Sequence, residues 1–115
     1  MSFSLTTEQV RAGTKTVTRR TGWAHLKKGD IVNAVEKAMG LKKGERVKVI
    51  RQIRIESNRP ERFSRMLADP GYGAEECRKE GFPEMTPRQF VAFFLQSHRG
   101  VLVVDPVNRI EFSYL

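Results

Sequence analysis

Basic and hydroxyl side chains are concentrated between residues 13 and 20, which read Gly-Thr-Lys-Thr-Val-Thr-Arg-Arg. The cations of this segment suit phosphate or carboxylate groups. A threonine hydroxyl becomes a nucleophile when a base removes its proton, and a lysine is such a base only if burial or a nearby cation lowers its pKa. The segment therefore predicts an anion-binding or acyl-transfer site, or else a solvated strand of good strand formers. Its candidate residues are Lys15, Thr16, Thr18, Arg19 and Arg20.

The positive charge of the chain is unevenly distributed. The net charge is +8; residues 1–65 hold 16 Lys and Arg against 6 Asp and Glu, and residues 66–115 hold 5 against 7. A basic surface attracts polyanions, of which nucleic acid is the most common in a cell. We therefore predict salt-dependent RNA binding through the first half of the chain; a basic surface that only favours solubility is the alternative.

Length and composition indicate one small domain, residues 1–115, with a single modest core. No apolar run approaches the ~20 residues of a membrane span. The first residues, 1–5, lack the pattern of a signal peptide, and the lone Cys77 cannot form an internal disulfide. We expect a cytoplasmic monomer without membrane contact or cofactor. His25 and His98 have no Cys or Asp at ligand spacing, so no metal site is expected.

Residue patterns predict several strands with helices early and late in the chain. A Thr start and a Gly13 stop predict a helix over 7–12, and Thr86-Pro87 predicts the start of another over 89–98. Val- and Ile-rich alternation predicts strands over 14–20, 31–35, 46–55 and 109–115, with a bulge at residues 50–51. A helix is also expected over 74–79. The predicted class is α+β, with a β-barrel or a strongly curved sheet.

Residues 57–73 are polar and rich in Pro and Gly. Long polar segments in compact domains are usually lids or connectors. The segment also carries three arginines around Phe63 and leads toward Glu80. It is therefore predicted to be a mobile lid, with a short helix near 63–67 as one option and an insertion without a role as the alternative.

Gly13, Lys15, Thr18 and Arg20 match the signature Gly-x-Lys-x-x-(Glu or Thr)-x-Arg, between a short helix and a Lys-Gly-Asp turn. With these residues the chain resembles the ASCH family. The likeness extends to Glu80-Gly81-Phe82 and to the closing strand at 109–112. The chain is also similar to small phage and prophage ASCH proteins in Thr-Val-Thr-Arg-Arg before Trp23 and in segments 34–37, 39–44 and 81–87.

The resemblance implies a PUA-like barrel with a cleft beside the signature, linked to RNA. Some small members hydrolyse N4-acetylcytidine with a Lys, a Thr and a Glu, which implies catalytic roles for Lys15, Thr18 and Glu80, with Glu84 as a rival carboxylate. Ligand contact is expected at Gly13, Thr16, Arg19, Arg20 and Trp23. The Trp23 ring could stack on a base or belong to the core. In an ideal strand Lys15 and Thr18 would point to opposite faces.

The first hypothesis is therefore an RNA-binding or modified-nucleoside-binding ASCH domain. The alternatives are an amidohydrolase of the N4-acetylcytidine type, a ribonuclease, and a phage protein-binding adaptor that uses the same basic face.

Overall fold

The computed structural model describes all residues, 1–115. It contains four short helices and four strands. In chain order they are α1 (Thr7–Ala12), β1 (Val17–Arg20), β2 (Ile31–Val35), β3 (Val49–Arg62), α2 (Ser64–Ala68), α3 (Pro70–Lys79), α4 (Pro87–Ser97) and β4 (Pro106–Tyr114). The predicted α+β class is confirmed.

The four strands form one antiparallel sheet in the order β1-β4-β3-β2. The sheet curls into a half-barrel, so β1 and β2 are its two free edges. Two bulges increase its bend. One leaves Ile50 unpaired opposite the step from Ala34 to Val35, as the broken alternation predicts, and the other leaves Glu56 unpaired.

The N-terminal segment covers the β2 edge. Ser2 forms a parallel bridge with Val35, and the Phe3 amide donates to the Val35 carbonyl at 2.9 Å. From β1, at the opposite edge, the Arg20 guanidinium donates through Nη2 to the Ser2 carbonyl at 2.6 Å. The first residues of the chain therefore connect the two edges that the four strands leave apart.

The two faces of the sheet differ in character. Residues paired across antiparallel strands lie on the same face. Thr18 pairs with Ile110, whereas Arg19 pairs with Arg109. The face with Thr18 and Ile110, here called the inner face, packs on one apolar cluster. The face with Arg19 and Arg109, here called the helix-covered face, meets Glu76 of α3.

Apolar residues form two clusters. The first cluster lies on the inner face and consists of Met1, Phe3, Val10, Leu26, Ala34, Ile53, Ile55, Ile110 and Phe112. The second cluster lies among the helices and consists of Phe63, Met66, Cys77, Phe90, Val91, Phe94 and Val107. Together they bury most of the large side chains, which is the main source of favourable folding free energy.

The prediction of a mobile lid over residues 57–73 is wrong. Strand β3 continues through Arg62 because it remains paired with β4, and Phe63 is fully buried. Pro70 stands in the first turn of α3, which the Asp69 carboxylate caps by accepting from the Tyr72 amide. Gly73 lies where an added Cβ would be 2.4 Å from the Met66 carbonyl. Proline and glycine here start and pack helices.

The other helix boundaries follow local signals. Helix α1 covers the predicted residues and ends at Gly13 with φ of 77°, a left-handed conformation that suits glycine. Thr86 and Gln89 form the reciprocal hydrogen bonds of a capping box at the start of α4. Residues 101–104, between α4 and β4, do not form a strand. None of these helices has the length and hydropathy that a bilayer crossing requires.

Candidate functional site

The predicted site residues lie at the free edge of the sheet formed by β1. Lys15 precedes the strand, which begins at Val17, so the alternation of an ideal strand does not apply to it. Thr18 and Arg20 lie on the inner face, and the Arg20 Nε donates to Thr18 Oγ1 at 3.0 Å. Lys15 and Thr18 are both buried, and both border the same cavity. The turn before β1 therefore brings together side chains that a regular strand would separate.

The cavity has a volume of about 210 Å³ and opens to solvent on one side. It is bordered by the N-terminal segment, the β1 edge, Glu80 and one side of α4. Its polar walls come from Ser2, Ser4, Thr6, Lys15, Thr18, Arg19, Arg20, Glu80, Ser97 and His98, and its apolar walls from Phe3, Leu5, Phe82, Phe90, Phe93 and Phe94. It is thus a small pocket with a charged floor and aromatic sides.

Glu80 anchors the charged floor. The Lys15 ammonium donates to Glu80 Oε1 at 2.8 Å and to the Glu80 carbonyl at 2.7 Å, and Arg19 Nη1 donates to Oε2 at 2.9 Å. All three side chains are almost completely buried. Because each carboxylate oxygen already accepts from a cation, Glu80 orients Lys15 and Arg19 and keeps both cations compensated.

The ion pairs continue behind the floor into the helix-covered face of the sheet. Arg19 Nη2 donates to Glu61 at 2.5 Å and to Glu76 at 2.6 Å. Arg109 donates to both oxygens of Glu76, at 2.5 and 3.0 Å. No buried side-chain polar atom of the chain lacks a hydrogen-bond partner. We refer to Lys15, Arg19, Glu61, Glu76, Glu80 and Arg109 as the buried ionic layer.

The pKa values of this layer follow from burial and pairing. Burial alone would raise the pKa of Glu76, but hydrogen bonds from Arg109 and the charge of Arg19 lower it to about 2. Burial alone would likewise lower the pKa of Arg19, but Glu80 and Glu61 more than offset this and raise it. Glu76 and Arg19 are therefore both charged at neutral pH.

The Lys15 ammonium behaves differently from the arginines. Burial lowers its pKa, and the nearby carboxylate of Glu80 opposes this effect without cancelling it. Two of its three donor positions serve Glu80. The ammonium therefore loses a proton more readily than a surface lysine, and one donor is free for a ligand.

Arg20 is the unpaired cation of the cavity. Its Nε and Nη2 donate to Thr18 and to the Ser2 carbonyl, and its guanidinium lies 4.7 Å from the centroid of the Phe3 ring. It forms no ion pair, and burial lowers its pKa to about 10. Nη1 donates to no protein group; since no fully buried polar atom lacks a partner, this atom is open to solvent. Arg20 therefore presents a charged donor to an anion or a carbonyl oxygen.

The last turns of α4 form the aromatic wall. The Phe82 ring packs against Phe90 and Phe93, with centroids 6.0 and 5.6 Å apart. Beyond them, the His98 ring lies parallel to Phe94, with centroids 3.9 Å apart. This wall gives planar apolar surface beside the cationic floor, which suits a flat ring with a polar edge.

The remaining predicted residues lie outside this cavity. Gly13 and Thr16 border a separate depression with Gln9 and Arg78. Trp23 packs against the first apolar cluster and stacks on His25, with centroids 5.7 Å apart. Glu84 is exposed and does not border the cavity, unlike Glu80. The depression has the larger volume, about 530 Å³, but no aromatic or large aliphatic side chain borders it, so the aromatic-walled cavity is the better ligand site.

Sequence reasoning missed Glu61 and Glu76 of the ionic layer, and it missed the aromatic wall as a ligand surface. The spacing of Glu76 and Glu80, four residues apart on a helix, places them on one face and is the one local signal of a buried acidic pair. Phe90 and Phe94 are buried core residues that also border the cavity. Nothing in the sequence pairs Glu76 with Arg109.

Comparisons of the chain with protein-family models, with curated proteins and with solved structures gave no match. The fold defines an α+β protein with a half-barrel sheet and a cavity at its β1 edge.

Proposed function

We propose that the chain is an ASCH-type, PUA-like domain whose cavity binds the base of a modified nucleoside, either free or within RNA. One observation carries the proposal: Lys15, Thr18 and Arg20 border a cavity with aromatic side chains of α4. A nucleobase has two apolar faces and a polar edge, and this lining offers a complement to each.

The size of the cavity favours a single base. Pockets for drug-sized ligands measure roughly 300–1,000 Å³, whereas this one measures about 210 Å³. A base would fill it, and the sugar and any phosphates would lie at its open side. The positive charge of residues 1–65 would then attract the backbone of an RNA strand.

Calorimetric titration with cytidine, N4-acetylcytidine and uridine tests the binding of free nucleosides. Thr18→Val removes the hydroxyl from the cavity with almost no change in shape, and Thr16→Val, two residues away, is its matched control. Arg20→Gln removes the unpaired cation, and its control is Arg51→Gln, because Arg51 also stacks on an aromatic ring without an ion pair. We expect weaker binding for the two cavity variants only; equal binding by all four refutes this site.

A single-stranded oligonucleotide that carries the same nucleoside tests whether the base is bound as a free nucleoside or within RNA. If the strand is held through its phosphates, log affinity falls against log salt by ~0.7 for each phosphate contacted. The free nucleoside should show little salt dependence. Equal salt dependence for both ligands excludes backbone contact and leaves the free nucleoside.

Amide hydrolysis of N4-acetylcytidine is the second candidate function, and the lowered pKa of Lys15 beside Thr18 favours it. Thr18 Oγ would attack the acyl carbon while Lys15 takes the hydroxyl proton and passes it to the leaving N4. The C–N bond breaks, cytidine leaves, and water then releases acetate from Thr18. The overall reaction is N4-acetylcytidine plus water giving cytidine plus acetate.

Chromatographic detection of cytidine tests this reaction. Thr18→Val should abolish turnover, while Thr18→Ser should keep part of it and Thr16→Val all of it. Binding of N4-acetylcytidine without any cytidine release would leave the binding function and exclude hydrolysis. Turnover that survives Thr18→Val would exclude Thr18 as the nucleophile.

A further inference from the structure

His98 lies at the end of α4 on the wall of the cavity, and its ring is held in place from two sides. It is parallel to the Phe94 ring, with an interplanar angle of 5°. Its Nδ1 lies 2.9 Å from the Phe94 carbonyl oxygen, one turn back along the helix. Nδ1 also lies 3.2 Å from Ser97 Oγ, but that hydroxyl can donate to the Phe93 or Phe94 carbonyl instead. Because a carbonyl only accepts, the short contact with Phe94 assigns the proton to Nδ1.

The other ring nitrogen is then a hydrogen-bond acceptor. In a neutral imidazole with its proton on Nδ1, Nε2 carries a lone pair. Nε2 has no partner in the protein, and because every fully buried polar atom has one, Nε2 is open to solvent. The ring borders the cavity.

This acceptor complements the floor. Lys15 and Arg20 can only donate hydrogen bonds, and both oxygens of Glu80 already accept from cations. Apart from hydroxyl groups, the free side-chain acceptor of the lining is therefore at the end of α4, while the charged donors are on or beside β1. A ligand with acceptors at one part of its edge and an N–H at another matches this distribution.

Resting on the proposed function, we infer that His98 Nε2 selects nucleosides whose base carries an N–H donor at the ring edge. In cytidine the amino group on C4 is that donor, next to ring acceptors that suit Lys15 and Arg20. N4,N4-dimethylcytidine has the same ring without the donor. One hydrogen bond of ordinary strength gives roughly a 3- to 10-fold preference for cytidine.

Two substitutions separate ligand recognition from helix capping. His98→Asn places an amide where Nδ1 was, so it can keep the bond to the Phe94 carbonyl but has nothing at Nε2. His98→Gln reaches the Nε2 position and loses the bond to Phe94. We expect calorimetry to show that His98→Asn binds cytidine and its dimethyl analogue alike, and that His98→Gln keeps a preference. Thermal unfolding should show the reverse order, with His98→Gln the less stable.

Nitrogen-15 NMR of the histidine rings gives a test that needs no ligand. We expect the proton of His98 on Nδ1 in the free protein; a proton on Nε2 overturns the inference. If the wild-type protein binds cytidine and His98→Asn retains the preference, the inference about His98 fails and the proposed function stands. If the wild-type protein binds these bases neither as free nucleosides nor within an oligonucleotide, the proposed function fails and the assignment of His98 fails with it.

Discussion

Replacement of Glu76 by Gln should destabilise the protein at neutral pH and should remove part of its sensitivity to acid. Glu76 is 1% exposed and pairs with two buried arginines, Arg19 and Arg109. Because its pKa is depressed in the folded state, the ionised form stabilises the fold above the unfolded pKa. This contribution is lost as the pH falls through the folded value.

The magnitude follows from the shift. The pKa of Glu76 falls from 4.5 to about 2. At ~1.4 kcal/mol per unit, this shift corresponds to roughly 3 kcal/mol of unfolding free energy, lost between about pH 5 and pH 2. Glu76→Gln should cost a similar amount at neutral pH. Breaking a buried ion pair costs ~3–5 kcal/mol. The expected cost of Glu76→Gln lies near the low end of this range because Arg19 remains paired with Glu61 and Glu80.

Urea unfolding measured from neutral pH down to about pH 3 tests this reasoning. The wild-type protein and Glu76→Gln should differ by roughly 3 kcal/mol at neutral pH and converge toward acid. Glu84→Gln is the control, since Glu84 is exposed and forms no ion pair. The other carboxylates are common to both proteins, so the difference isolates Glu76. Equal midpoints at neutral pH, or parallel pH curves, would refute the ionic layer as a stabilising feature.

Three further predictions concern the helices. Thr86→Ala removes the capping box formed with Gln89 and should lower the unfolding free energy by about 1 kcal/mol in urea titrations; an unchanged midpoint would contradict it. Gly73→Ala should cost about 1–3 kcal/mol, because its Cβ would lie 2.4 Å from the Met66 carbonyl, and wild-type thermal stability would exclude that close approach. Burial raises the pKa of Cys77 to about 11, so iodoacetamide should label the thiol only after unfolding; rapid labelling of the native protein would show an accessible thiolate.

Local signals identified much of the fold. The first helix and β2 follow the predicted boundaries, and Thr86 caps α4, because these features depend on a few neighbouring residues. The broken alternation near Ile50 marked a real bulge for the same reason. The prediction of a mobile lid over 57–73 was wrong because Pro and Gly occur in helices as well as in loops. Their effect there depends on pairing with β4 and on packing between α2 and α3.

The site was predicted only in part, for a similar reason. Lys15, Thr18 and Arg20 are close in sequence, so one motif could mark them. Glu80 was predicted from the resemblance to a known family. The Arg109–Glu76 pair was not predicted, because it joins residues 33 positions apart in different elements. Such pairs depend on the strand order, in which the last strand is inserted beside the first. Sequence patterns on one element carry no information about that placement.

Strand β3 also determines how the molecule opens in solution. Its first half contributes Ile53 and Ile55 to the first apolar cluster, and Phe63, directly after its end, belongs to the second. Strand β4 also contributes to both clusters, with Ile110 in the first and Val107 in the second. Neither cluster can come apart without disturbing the long β3–β4 ladder, so the two should open cooperatively. In hydrogen exchange, the amides of that ladder should therefore exchange only through global unfolding, while those of the hairpin connection at 36–48 exchange early.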